Sequence, residues 1–89
     1  MNVSVDISLY PLDADYKPAI KDFIRDLRSY AGIELVTNQL STQLRGEYAT
    51  VTTALNACML KTMEGKQKVV FVARYLNADL DIARSPQID

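Results

Sequence analysis

Between two segments of helical period lies a stretch, 33–47 (Ile-Glu-Leu-Val-Thr-Asn-Gln-Leu-Ser-Thr-Gln-Leu-Arg-Gly-Glu), that no single helix can contain. Ile33, Leu35 and Thr37 alternate with Glu34, Val36 and Asn38, which is the two-residue period of a strand. The middle, 37–43, is dense in hydroxyl and amide side chains, and Leu44 then resumes an apolar pattern that Gly46 interrupts. The pattern predicts two strands joined by a tight turn near residues 40–42. Two readings of the polar stretch stand side by side. One is a turn built from residues that prefer turns; the other is a hydrogen-bonding rim for a small polar ligand.

The flanking segments complete a regular order. Val3, Val5, Ile7 and Leu9 alternate with Ser4, Asp6, Ser8 and Tyr10, so 2–12 reads as a strand with one face on a core. Pro11 cannot donate to a ladder and ends that strand or places its end at a sheet edge. Asp13 or Asp15 is expected to cap a helix in which Pro18 sits in the first turn. Its stripe is Ile20, Phe23, Ile24, Leu27 and Ala31, and Gly32 is its expected C-terminal cap. A second helix carries Val51, Ala54, Leu55, Cys58, Met59 and Met63, with Gly65 as cap. Residues 68–76 are β-branched and aromatic, apolar at successive positions, and predict a strand covered on both sides.

Strand, helix, strand, strand, helix, strand requires two right-handed crossovers. The economical solution is an α+β, ferredoxin-like split βαββαβ fold. It has a four-stranded antiparallel sheet in order 4-1-3-2 with both helices on one face. The expected domain is 1–82, with 83–89 a frayed tail. At 89 residues its core is small and its stability margin thin.

Composition removes several function classes. There is no histidine, hence neither the commonest general base nor the commonest zinc ligand. The single cysteine, Cys58, lies on an apolar helical stripe and reads as core. Asp79 and Asp81 lack a turn glycine or third ligand for metal binding and read as a solvated end. No metal or catalytic group is expected. Ten Lys and Arg scattered among eleven acids do not make a nucleic-acid face. No apolar run approaches the roughly 20 residues that span a bilayer, so no membrane partner is expected. Without an export signal the expected location is cytoplasmic. The open sheet face should present Ser4, Asp6, Ser8, Tyr10, Val36, Asn38, Val70, Val72 and Arg74. It suits either a ligand or a homodimer or tetramer interface.

The Tyr10-Pro11-Leu12 end of the first strand and the hairpin Leu40-Ser41-Thr42-Gln-Leu-Arg-Gly46-Glu47 together resemble the YkoF-related, thiamine-binding-protein family. The resemblance extends over about 3–76. It implies a ferredoxin-like fold, homo-oligomers built by sheet pairing and stacking, and, for some members, binding of thiamine or its hydroxymethylpyrimidine part. Ser41, Thr42, Gly46 and Glu47 match the family hairpin. Beside it, side-chain chemistry nominates Ser8, Asn38, Ser41, Thr42 and Gln43 to read an aminopyrimidine. Tyr10, Tyr48 and Glu47 are the candidates to face a thiazolium cation. The expected function is non-enzymatic small-molecule binding with no cofactor beyond thiamine as ligand. The alternative is a structural or regulatory interaction domain.

Overall fold

A computed structural model describes residues 1–88. The elements are β1 (Asn2–Pro11), α1 (Lys17–Arg28), β2 (Ile33–Thr37), β3 (Thr42–Glu47), α2 (Tyr48–Met63) and β4 (Val69–Leu76). The sheet order is β2-β3-β1-β4 and every pairing is antiparallel, which is the ferredoxin-like arrangement the periodicities predict.

Register follows from alternation. Val5 stands opposite Leu44 and Tyr75, and Ile7 opposite Thr42 and Ala73, on the helix-bearing face. Asp6 stands opposite Gln43 and Arg74 on the other face. The core lies between the sheet and the helices. It is built from Val3, Val5, Ile7, Leu9, Leu44, Phe23, Leu27, Val51, Ala54, Leu55 and Cys58. The Phe23 and Phe71 rings meet at 5.1 Å, tilted by 51°, and tie α1 to the edge strand. Lys61 near the end of α2 reaches Asp26 of α1 at 3.1 Å. The threonines of α2 are accommodated by folding back: Thr52 Oγ1 donates to Tyr48 O and Thr62 Oγ1 to Cys58 O. No helix among the described residues is long and apolar enough to cross a membrane.

Local details depart from expectation where a side chain finds a nearer partner. Neither Asp13 nor Asp15 caps α1. Asp13 Oδ1 accepts the Asp15 N–H at 2.9 Å in the linker, and Tyr16 is the N-cap without a side-chain bond. The helix ends at Arg28, where Ser29 Oγ donates to Asp26 O at 2.6 Å, so Ala31 lies outside it. Gly32 is not the cap but the left-handed residue, φ 81°, of the turn into β2. β4 is not covered on both sides in the single chain. The helices occupy one face only, and Val70 (44% exposed) and Val72 (52%) stand on the other.

Glu47 closes β3 and caps α2, its Oε2 accepting the Ala49 N–H at 2.8 Å. That bond holds its carboxyl below the usual glutamate range. A lowered folded-state pKa stabilises the protein above the unfolded value, and that stability is lost as pH falls through the folded value. Glu47→Gln should therefore melt lower at neutral pH. It should also lose less on acidification below the usual glutamate range, read by thermal melts over a pH series.

Candidate functional site at the hairpin end of the sheet

The β2–β3 turn is shaped by Asn38. Its Oδ1 accepts the N–H of Leu40 at 2.9 Å and of Ser41 at 3.2 Å, and its own N–H donates to Ser41 O at 3.1 Å. This Asx turn leans on β1, where Ser8 Oγ donates to Leu40 O at 3.4 Å. Thr42, buried at 5% exposure, starts β3 and shares a hydrogen bond with Thr37 across the pair, 3.1 Å between hydroxyl oxygens. Only one of those hydroxyls can donate to the other, so one O–H remains for an outside acceptor.

Ser8, Asn38, Ser41 and Thr42 thus converge on a cleft of about 70 Å³, whose apolar wall comes from α1 through Ile20, Phe23 and Ile24. Its volume is below the roughly 300–1,000 Å³ of ordinary ligand pockets. A ring would enter only if the turn, whose Leu40 is 88% exposed, moved away from α1.

The other nominated residues lie elsewhere. Gln43 follows Thr42 in the strand and points to the opposite, open face, beside Asp6. Tyr10 is exposed on that face next to Val70. Glu47 and Tyr48 are at the far end of β3, about 17 Å from Thr42 at the rise of a strand. There Tyr48 flanks a separate groove of about 440 Å³ with Thr52, Asn56 and Tyr75.

The open face carries charged groups that sequence reasoning did not nominate as ligand contacts, although it placed Asp6 and Arg74 on that face. Asp6 pairs with Arg74 through Oδ2, and Arg45 Nε donates to Glu34 at 2.6 Å. Ser41 first, then Arg74, holds the Asp6 carboxyl below its ordinary value. The segment 77–82 crosses the face as a strap. The alternation of β1 placed Asp6 and Ser4 there, and only the β1–β4 register pairs Asp6 with Arg74. Cys58 is enclosed in the core, where burial first and the Asp26 charge second push its thiol up.

A model of the YkoF-related family matches residues 2–77. The chain belongs to the YkoF-related family. Its fold is shared with solved structures at low identity. A Streptococcus pneumoniae protein is 18% identical with a TM-score of 0.80, over 93% of this chain and 94% of its own. A hypothetical protein from Methanocaldococcus jannascii is 20% identical at 0.76, over 88% and 81%. A Thermotoga maritima protein, assigned provisionally to thiamine biosynthesis or salvage, is 18% identical at 0.73, over 84% and 82%. No curated protein matches the chain. In this YkoF-related chain the family match takes in both the hairpin-end cleft and the open sheet face.

Proposed function

We propose that this protein binds a small nitrogen heterocycle, thiamine or its hydroxymethylpyrimidine part, without transforming it. The observation that carries the reading is the convergence of Ser8, Asn38, Ser41 and Thr42 beside the apolar wall of α1. An aminopyrimidine offers donors and acceptors along its edge and two apolar faces. The cleft offers hydroxyls, the Asn38 amide N–H groups and the Ile20, Phe23 and Ile24 side chains. Family membership and the thiamine-related assignment of the Thermotoga neighbour point the same way. With no histidine in the chain and its cysteine buried, binding is favoured over catalysis. Calorimetry with thiamine, its phosphates and hydroxymethylpyrimidine tests this. Binding is expected, with Thr42→Val weakening it about tenfold, the effect of one lost polar contact in a specific site. No heat with any of them at millimolar concentration would remove the proposal.

A second reading, assembly, is favoured by the exposed Val70 and Val72 on the open face of an edge strand. Full burial of such side chains is worth about 1.5–3 kcal/mol each on transfer scales, and an unpaired edge invites pairing. A homodimer, or a tetramer of two dimers, would cover both. Light scattering over a dilution series should give a multiple of the 10.0 kDa chain mass. Val70→Lys with Val72→Lys should shift it to monomer. A stable wild-type monomer at high micromolar concentration would exclude this reading.

A further inference from the structure

After β4 the chain folds back across the open face. Ser4, one of the few buried polar residues at 6% exposure, fastens it there: its Oγ donates to Ala78 O at 2.7 Å and accepts the Leu80 N–H at 3.0 Å. Arg45 Nη1 donates to Leu80 O at 2.6 Å and lies 3.7 Å from Asp79, whose Oδ2 also accepts from Asn2 Nδ2. A segment without periodicity is therefore held by side-chain bonds from two strands. It leaves beside it a groove of about 400 Å³, floored by Asp6, Gln43, Arg74 and Leu76 and walled by Leu80 and Ile82.

We infer that this groove is a binding site for a small organic ammonium ion on an apolar body. Three independent features fit that chemistry. Asp6 Oδ1 is shielded from solvent and accepts no aligned hydrogen bond; the Ser41 hydroxyl approaches the carboxyl without the alignment of a full bond, which leaves capacity for a better-placed donor. Its neighbour Arg74 occupies only Oδ2, and with its side chain 82% exposed it can swing aside at small cost, as exposed ion pairs do. An ammonium entering there would make the charge-assisted bond to Asp6. Next, the lining balances Asp6 against Arg74, while beside the strap Glu34, Asp79 and Asp81 surround the one guanidinium of Arg45, so the charge next to the groove favours a cation. Finally, Leu76, Leu80 and Ile82 give the ligand's body an apolar wall, and the volume lies in the range of small-molecule pockets. The groove's lining residues are distinct from those of the hairpin-end cleft, and the two meet only where the Ser41 hydroxyl approaches Asp6.

The probe is 2-phenylethylamine, with the uncharged 2-phenylethanol as its comparator, titrated into the full chain and followed by amide NMR. The amine is expected to shift the amides of Asp6, Gln43, Leu80 and Ile82 and to saturate at millimolar concentration. The alcohol should bind at least about tenfold more weakly, since it lacks the charge that strengthens the bond. Asp6→Asn, which keeps the shape, should weaken the amine by a similar factor. If that variant does not fold, Ile82→Ser in the strap should weaken it severalfold. Thr42→Val should leave amine binding unchanged, which separates this site from the cleft. No shifts at about 20 mM amine, equal binding of the alcohol, or unaltered binding by Asp6→Asn or Ile82→Ser would overturn the inference.

Discussion

Gly46→Ala should lower the melting temperature by about 10–20 °C, from a cost of about 2–3 kcal/mol in a domain of this size. A Cβ at Gly46 would stand 2.7 Å from the backbone oxygen of Gly32 and 3.3 Å from Val51 Cγ2. The first neighbour is backbone and cannot rotate away. It also belongs to the turn where Gly32 holds a left-handed φ of 81°, so the strain would reach the start of β2. Ile33 pairs directly with Gly46, and relief requires the β2–β3 ladder to open at that end. The cause is close approach of chains, with no special backbone angle at Gly46 itself. Thermal denaturation followed by circular dichroism measures it. A melting temperature within about 3 °C of wild type would show that the β2–β3 pairing is looser than the register implies.

Leu44→Ala should cost more, about 2–5 kcal/mol. Leu44 is fully buried at the centre of the sheet's helix face, opposite Val5 on β1 and Leu35 on β2. α2 lies above it with Val51 and Leu55, which have no exposed surface through which to relax. Removing its branched end leaves a void that close-packed neighbours can only partly refill. Urea denaturation should show a lower midpoint with an unchanged slope. The two β3 variants fail for opposite reasons: Gly46 adds an atom where there is no room, and Leu44 removes atoms that nothing replaces.

The order of elements and the two faces of β1 were legible because Val3, Val5, Ile7 and Leu9 alternate without interruption. A central strand with helices on one side enforces that pattern on every residue. Helix ends were less legible. Asp13 has the right chemistry for a cap, but an Asx turn onto Asp15 lies closer in the chain and wins. At the site, the polar composition of 37–43 was visible, yet the side each residue faces turns on where β3 begins. Because strand restarts at Thr42, that side chain enters the cleft under α1 while Gln43 points away to the open face. The strap was not legible. Its anchors, Ser4 to Ala78 and Leu80, join residues more than seventy positions apart and leave no periodic trace in 77–82.

Proposed binding at the hairpin end is tested most directly by titrating the isotopically labelled protein with hydroxymethylpyrimidine and mapping amide shifts. Saturable shifts concentrated at Ser8, Asn38, Ser41, Thr42 and the facing turn of α1, and lost in Thr42→Val, are the expected result. An unchanged spectrum at millimolar ligand, or shifts confined to the far end of β3 around Tyr48 and Tyr75, would contradict it.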